Sequence, residues 1–375
     1  MPVSRPSRHE IAAISAGKDH TLARLRTGEV LGWGGAGSGR MSTPDRDICS
    51  PFRTTDAKPV YVAKSSRYAD VSAGYGVSLG ISDTRQTLIW GFCQVGLDGK
   101  RGFTEEPSLV DGISNASKVV AGQLLHAAID QSGDLYTWGM STDGALGRTA
   151  ATINARPGVV RLPATQAIAI GDAFMVALST EGHLHAWGSN SAGQLGLGHL
   201  ESATSPQSIS LGSRVKAIAA GSTHVLALTA SGQVFGWGSN HFGQVSFNQR
   251  KGRSAQAFMS EPVPIDLPEP TSALAAGMHY SVALGRSGRV YTWGWNGFGQ
   301  LGHGDLEARD APTVIRHLSG VRAIAAGEAH VVATGESDLL GWGCNESGQL
   351  GSANPRQMSP HALLAIAGGD RARPD

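Results

Sequence analysis

The fold is indicated by residues 215–244, which run Val215-Lys-Ala-Ile-Ala-Ala-Gly221, Ser-Thr, His224-Val-Leu-Ala-Leu-Thr229, Ala-Ser-Gly232, Gln-Val-Phe-Gly-Trp237-Gly and Ser239-Asn-His-Phe-Gly-Gln244. Apolar runs of this length bounded by Gly and Ser are typical of β-strands. The Ser-Gly pair between the second and third runs indicates a tight hairpin turn. The stretch therefore predicts three short antiparallel strands and no helix.

The same pattern recurs along the chain and is easiest to follow through a Trp-Gly pair. The pair occurs seven times, at Trp33, Trp90, Trp138, Trp187, Trp237, Trp293 and Trp342, and only Trp295 stands outside the series. Each tryptophan is preceded, by 16 residues in six copies and by 15 in the last, by one of Gly17, Gly74, Gly122, Gly171, Gly221, Gly277 and Gly327. A looser fourth segment with proline follows every copy, and proline suits an edge strand. Four strands repeated seven times predict an all-β, seven-bladed β-propeller with four-stranded blades.

The composition agrees with a turn-rich globular protein and excludes several classes of function. Glycine accounts for 51 of 375 residues, roughly twice its usual share of about 7%. The 31 basic and 30 acidic residues give a net charge of +1, so no overall field attracts nucleic acid or an anionic membrane, and neither partner is expected. Three widely separated cysteines give no zinc spacing, and neither metal nor cofactor is predicted.

Targeting signals are not apparent in the sequence. The first ten residues hold no apolar run of signal-peptide length, and no later segment has the roughly 20 apolar residues that a membrane span needs. A cytoplasmic location is therefore expected, with export by an unrecognised signal left open.

Motifs of enzymes occur only in positions where the repeat explains them. Gly76-Val-Ser-Leu-Gly80 matches the nucleophile elbow but falls inside a predicted strand, and Gly32–Gly37 and Gly297–Gly302 match a dinucleotide motif but lie in repeat turns. An enzyme is therefore the less favoured interpretation, although a site assembled from several repeats at the central channel stays open.

Three histidines occupy one repeat position, and apolar residues take that position in the other four copies. They are His20, His224 and His330. Interchange with apolar residues predicts that the position packs inside the blade, with each imidazole bonded to a neighbouring backbone group rather than to a metal.

The repeat resembles that of the regulator of chromosome condensation family, through Ala-Gly-x-x-His followed by Ser-Gly-x-Val-x-x-Trp-Gly-x-Asn-x-x-Gly-Gln-Leu-Gly. The resemblance covers about Ile11 to Ala367. It implies one seven-bladed domain over residues 11–367, with short tails at 1–10 and 368–375. It further implies a ring closed by the two chain termini, in which residues 359–367 dock against residues 11–34.

The two residues after each repeat glycine vary in chemistry while the glycine does not. Variable side chains on a constant frame are typical of a binding surface, with plain solvent-exposed turns as the alternative. In the family this loop lies on the face that meets protein partners. The resemblance therefore implies a partner-binding role for Lys18, Asp19, Tyr75, Asp172, Met278, His279 and Glu328.

Two connections are about seven residues longer than the rest, between Trp33 and Gly74 and between Trp237 and Gly277. Long surface loops concentrate functional elements. The second holds Arg250, Lys251 and Arg253, a basic cluster suited to phosphate or an acidic partner, with a solvated loop as the commoner explanation.

Three functions follow from these observations. The first is a monomeric protein–protein interaction module that presents variable loops on a rigid propeller face. The alternative, implied by the resemblance, is guanine-nucleotide exchange on a Ran-like small GTPase, although no basic amino-terminal arm and no insertion matching the family's wedge is found. The third is the channel enzyme.

Overall fold

The computed structural model describes residues 11–35, 55–63, 66–93, 102–150, 152–245, 257–335, 338–352 and 354–364. Within these ranges every regular element is a β-strand, and the strands form seven four-stranded antiparallel sheets. Strand order in each sheet follows chain order, so each blade is one contiguous segment. The seven-bladed all-β propeller predicted from the repeat is confirmed.

The first four blades contain sixteen strands. Blade 1 has β1 (Ile11–Ala16), β2 (His20–Leu25), β3 (Val30–Gly35) and β4 (Thr55–Tyr61); blade 2 has β5 (Tyr68–Ala73), β6 (Val77–Ser82), β7 (Thr87–Cys93) and β8 (Gly102–Leu109); blade 3 has β9 (Ala116–Ala121), β10 (Leu125–Asp130), β11 (Leu135–Met140) and β12 (Asn154–Val160); blade 4 has β13 (Thr165–Ile170), β14 (Phe174–Ser179), β15 (Leu184–Gly188) and β16 (Ala203–Ile209).

The last three blades contain twelve. Blade 5 has β17 (Val215–Ala220), β18 (His224–Thr229), β19 (Val234–Ser239) and β20 (Phe258–Ile265); blade 6 has β21 (Thr271–Ala276), β22 (Tyr280–Gly285), β23 (Val290–Gly294) and β24 (Arg309–Val314); blade 7 has β25 (Ala323–Ala326), β26 (His330–Thr334), β27 (Leu339–Cys344) and β28 (Arg356–Leu364).

The repeat tryptophans fill the seams between blades. Trp237 of blade 5 is fully buried, and its indole Nε1 donates a hydrogen bond of 2.9 Å to the Gln194 carbonyl of blade 4. Trp342 of blade 7 makes the same bond, also 2.9 Å, to Gln300 of blade 6. A buried indole N–H usually finds an acceptor, because leaving it unpaired away from water costs free energy. Each of these bonds therefore fixes one blade to the blade before it.

Ring closure depends on packing between the first and last blades. Leu363 of β28 lies in one buried hydrophobic cluster with Leu31 and Trp33 of blade 1, which agrees with the expected docking of the carboxyl-terminal segment. The Glu328 amide also donates a backbone hydrogen bond of 3.1 Å to the Gly17 carbonyl. No strand is exchanged, because β28 pairs with β27 of its own blade.

The repeat histidines are buried, as predicted. Their hydrogen-bond partners, however, include side-chain hydroxyls and not only the backbone groups that were predicted. Their Nε2 atoms lie at hydrogen-bond distance from hydroxyl oxygens of the next blade: His20 to Ser78 at 3.0 Å, His224 to Ser281 at 3.0 Å and His330 to Thr21 at 3.1 Å. The prediction named a backbone group because a single repeat unit does not show which side chain the neighbouring blade supplies. His224 also has a hydrogen bond to the Tyr280 backbone of the next blade, so the hydroxyl partner adds to the prediction. Among the described residues, three of the seven seams have this histidine–hydroxyl link.

Candidate functional site

The turns between the first and second strands of the blades meet at the propeller axis and are hydrogen-bonded to one another. The Lys18 amide donates to the Gly74 carbonyl at 3.0 Å, and the Met278 amide donates to the Glu328 carbonyl at 3.1 Å. A Cβ atom on Gly17 would lie 2.3 Å from the Gly74 oxygen, which is too close for any other residue. The glycines are therefore needed for the turns to come this close.

The turns enclose a cavity of about 150 Å³ at the axis, which we term the axial mouth. All seven blades contribute to its lining. Apart from the Ala-Gly or Ile-Gly pairs, its walls are Lys18, Tyr75, Gln123, Asp172, Ser222, Met278 and Glu328. Five of the residues predicted from sequence are therefore brought together by the ring: Lys18, Tyr75, Asp172, Met278 and Glu328.

Lys18, Tyr75 and Glu328 form one polar cluster within the axial mouth. The Lys18 Nζ atom lies 3.9 Å from Glu328 Oε2 and 4.2 Å from the centroid of the Tyr75 ring. Burial, followed by the negative charge of Glu328, raises the pKa of the Tyr75 hydroxyl. Tyr75 therefore stays protonated at neutral pH, and its hydroxyl donates a hydrogen bond to the Glu328 carboxylate within the cluster.

Carboxylates outnumber cations around this cluster. Desolvation raises the pKa of Glu328, although Lys18 opposes that shift, and the negative charges of Asp19 and Asp172 raise it further. Desolvation also raises the pKa of Asp172, against a hydrogen bond from Ser222. Asp172 and Glu328 in the lining, together with Asp19 beside it, outnumber Lys18 and give this region excess negative charge, which favours a cationic group from a partner.

His279 lies outside the mouth, in a group of aromatic rings that spans blades 5 and 6. The ring centroids of Phe242 and His279 are 5.3 Å apart, those of His279 and Trp295 are 6.3 Å apart, and those of Trp295 and Phe298 are 5.5 Å apart. We term Phe242, His279, Trp295 and Phe298 the aromatic patch. Phe242 is 40% exposed, so the patch reaches solvent.

The aromatic patch and the axial mouth share one face of the propeller. In an antiparallel blade, the turn between the first and second strands and the connection from the third to the fourth lie at the same end. His279 belongs to the first kind of turn and follows Met278 of the mouth, whereas Phe242, Trp295 and Phe298 belong to the second kind. The two features therefore form one continuous surface, here called the mouth face.

The remaining sequence candidates are placed as follows. Ser78 of the formal nucleophile motif is buried in β6 against His20, so its position is structural. Gly297–Gly302 is a turn between strands. Arg250, Lys251 and Arg253 lie outside the described residues, and their role stays a prediction.

Two features are absent from the described part of the chain. No group of three or more His, Cys, Asp or Glu side chains there is arranged to hold a metal ion. No helix in those ranges is long and apolar enough to cross a bilayer.

A family profile described as the RCC1-like domain matches residues 92–372, and a second, described as the regulator of chromosome condensation (RCC1) repeat, matches residues 11–40. The chain belongs to the RCC1-like family. Among curated proteins, it is 34% identical over 302 residues to the ultraviolet-B receptor UVR8 of Arabidopsis thaliana, which covers 76% of this chain and 67% of UVR8. It is 28% identical over 371 residues to the E3 ubiquitin-protein ligase HERC2 of Mus musculus, covering 96% of this chain but 6% of HERC2.

Solved structures with the same fold include human WBSCR16 and Prp20p of Saccharomyces cerevisiae. WBSCR16 superposes with a TM-score of 0.77 at 22% identity, covering 90% of this chain and 94% of WBSCR16. Prp20p, whose structure was described with its binding properties to Gsp1p and histones, superposes with a TM-score of 0.74 at 22% identity, covering 84% of this chain and 80% of Prp20p. At this identity the two structures support the RCC1-like fold alone.

Three residues of the mouth face were missed by sequence reasoning about this RCC1-like chain. Trp295 stood outside the tryptophan series, which was a signal that the repeat frame did not require it. Phe242 and Phe298 occupy one repeat position, two residues after the turn asparagine, where the corresponding residues of blades 4 and 7 are Ala192 and Ser347. A comparison of that position across repeats could have identified both phenylalanines.

Proposed function

We propose that the chain is a protein-binding module of the RCC1-like family and that it binds its partner with the mouth face. The observation that carries the proposal is the meeting of Lys18, Tyr75, Asp172, Met278 and Glu328 from five different blades on one hydrogen-bonded ring of turns. A rigid frame with unlike side chains loses little entropy when it binds, which favours specific recognition.

The aromatic patch supports the same use of this face. Tryptophan and other aromatic residues are enriched where protein interfaces gain most of their binding energy, because large rigid rings bury area at low entropic cost. Trp295 and Phe298 sit edge to face at 89°, and the Arg356 guanidinium lies 5.4 Å above the Phe298 ring. We therefore assign the apolar contact to the patch and the electrostatic contact to the mouth.

The partner chemistry follows from the charges at the axial mouth. Asp19, Asp172 and Glu328 outnumber Lys18, so a lysine or arginine of the partner is the group that fits. Similarity to Prp20p supports a protein partner, since that protein was described with two protein ligands. The cytoplasmic location and the monomeric state stay predictions.

The test removes the mouth charges without changing side-chain size. Wild-type protein, an Asp172→Asn/Glu328→Gln variant and a control with Asp83→Asn/Asp111→Asn are immobilised and exposed to lysate of the source organism, with captured proteins quantified by mass spectrometry. The control removes two exposed carboxylates from turns at the end of blade 2 opposite to the mouth face. Each candidate is then purified and titrated directly. A partner of the mouth face should bind the mouth variant at least about tenfold more weakly and bind the control normally. If every purified partner binds both variants equally, the mouth is not the binding site.

Nucleotide exchange on a Ran-like GTPase is the second candidate, and the carboxylates at the mouth are the observation that favours it, because acidic groups can disturb magnesium and phosphate contacts. A Ran-type GTPase loaded with fluorescent GDP is mixed with micromolar protein, and GDP release is recorded. Acceleration that Asp172→Asn/Glu328→Gln abolishes would support exchange. An unchanged release rate would exclude exchange on that GTPase and leave the binding proposal intact.

A further inference from the structure

A second polar surface runs along blade 4, beside the last strand of blade 3 and the connection to blade 5, and shares no lining residue with the axial mouth. It consists of two adjoining cavities of about 840 and 560 Å³, which share Pro163, His185 and Ser208. The larger is lined by the Glu181–His183 hairpin of blade 4, at the end of the blade opposite to the mouth face, and the smaller opens at the outer edge of the ring. We term the pair the basic groove.

Three arginines line the basic groove without a carboxylate partner. Arg148 and Arg161 lie in the smaller cavity and Arg214 lies in the larger. None of the three takes part in a salt bridge within the described ranges of the chain. The groove therefore carries positive charge that the described part of the protein does not neutralise.

The three arginines are held differently. The Arg148 guanidinium donates to the Thr137 and Arg156 carbonyls at 2.8 and 2.6 Å, so it contributes charge while its donors are used within the fold. Arg161 and Arg214 are exposed, and Arg214 makes one hydrogen bond of 3.2 Å to the Thr180 carbonyl. Arg161 and Arg214 are therefore the side chains available for contact.

Other titratable groups also face the groove. Glu181 is the carboxylate in its lining, and its Oε2 atom lies 3.6 Å from His183 Nδ1. His185 lies where the cavities meet, and burial followed by the charge of His183 lowers its pKa, so it is neutral at pH 7. One carboxylate against three arginines leaves a net positive groove.

The corresponding surface between blades 6 and 7 provides an internal comparison. Arg316 occupies the repeat position of Arg161, and His303 that of Arg148. There, Arg309 forms salt bridges with Asp305 at 2.7 Å and with Glu307 at 3.6 Å. Ala150 stands in blade 3 at the repeat position of Asp305. The surface at blade 6 thus has carboxylates beside its arginines, whereas blade 3 has none at the position of Asp305.

We propose that the basic groove binds an extended Asp- and Glu-rich segment of a protein partner, at a site separate from the mouth face. The arginines are distributed along two cavities and do not converge on one point, which suits several carboxylates spaced along a chain better than a single phosphate. Exposed Ser205 and Ser208 supply hydroxyl donors beside them. Arginine is well suited to this contact because its planar fork matches a carboxylate.

The test uses the full chain and a short fluorescein-labelled peptide rich in Asp and Glu, with a peptide carrying Asn and Gln in their place as the neutral probe. Binding is followed by fluorescence polarisation for wild type, for Arg161→Gln/Arg214→Gln and for a control with Arg286→Gln/Arg316→Gln. The control removes two exposed charges from blade 6, including the repeat equivalent of Arg161. Thermal melting of each variant shows whether it is folded.

The acidic peptide should bind the wild-type protein, and its affinity should fall as the salt concentration is raised. Its affinity for the groove variant should be at least about tenfold lower than for wild type, whereas its affinity for the control variant should differ by no more than about twofold. Equal loss in both variants would show nonspecific attraction and overturn the proposal. It would also be overturned if the acidic peptide did not bind, if inorganic phosphate displaced it at equal concentration, or if a labelled single-stranded oligonucleotide bound more tightly than the peptide. None of these outcomes bears on the mouth face.

Discussion

The blade seams and the axial mouth are built from the same seven repeats but are used differently. At a seam, Trp237 and His224 are fully buried and each is bonded across to a neighbouring blade. At the mouth, Lys18 and Asp172 differ in charge although they occupy one repeat position, and both reach solvent. Only two residues separate the repeat glycine from the seam position, and these two face the mouth or the surface. Substitutions in the frame, meaning the repeat glycines and the buried seam residues, should therefore lower the stability of the fold. Substitutions of the variable residues at the mouth should instead weaken the binding of a partner.

The largest effect is expected from deletion of the last outer strand. A chain truncated after Gly351 lacks β28 and with it Leu363, which packs against Leu31 and Trp33 at ring closure. We expect loss of cooperative unfolding over the whole ring, because an exposed β27 edge and an open seam remain. Thermal denaturation followed by circular dichroism measures it. Melting like that of the full-length chain would show that closure does not depend on this strand.

The next largest effect is a difference in stability between substitutions of two neighbouring residues in one turn. In Gly17→Ala the new Cβ would meet the Gly74 carbonyl and the His20 ring, so a loss of roughly 3 kcal/mol in the free energy of unfolding is expected. Lys18→Ala should change it by less than about 1 kcal/mol, since its ion pair is partly exposed. Urea denaturation of both variants checks the contrast. Similar losses for both would remove the distinction between frame and mouth.

Acid should weaken the seams that hold histidines. Burial lowers the pKa of His224 and of His330 to about 3, against an unfolded value of about 6.5. The unfolded chain therefore binds protons that the folded chain does not, and stability present above pH 6.5 is lost as pH falls. Between pH 7 and pH 5 each histidine should cost about 2 kcal/mol.

A substitution that the fold already contains provides the control for this acid effect. Phe174 occupies the same repeat position in blade 4. The free energy of unfolding of His224→Phe should therefore fall between pH 7 and pH 5 by about 2 kcal/mol less than that of the wild type. Urea titrations at pH 7 and pH 5 measure it. An unchanged pH dependence in the variant would assign the acid effect to other groups.

The smallest effect on stability is expected at the mouth. Desolvation raises the pKa of Asp172 and of Glu328, which means that folding disfavours their charged forms. Above the folded pKa that penalty is fully present, so Asp172→Asn/Glu328→Gln should leave the melting temperature at pH 7 unchanged or slightly higher while it weakens partner binding. A clear drop in melting temperature would assign the two carboxylates to the frame.

The fold could be predicted almost completely from the sequence, because Trp-Gly pairs at regular spacing and alternating apolar runs are local signals that recur seven times. The site could be predicted in part. Glycine marks each turn, so the residues after it could be found, but the pairing of Lys18 with Glu328 joins the first and last blades and has no local signal. His279 shows a further limit, since its ring turns toward Trp295 although its neighbour Met278 lines the mouth.

Because each blade is a single contiguous segment, six of the seven junctions are also spanned by the polypeptide itself. The junction between blades 7 and 1 has only noncovalent contacts, among them the Glu328 amide on the Gly17 carbonyl, Thr21 with His330, the Lys18–Glu328 ion pair and the Leu363 cluster. Mechanical or thermal opening should therefore begin there, so that amides of β1 and β25 exchange with deuterium before their counterparts in other blades. The interface between blades 7 and 1 therefore sets the resistance of the whole ring to opening.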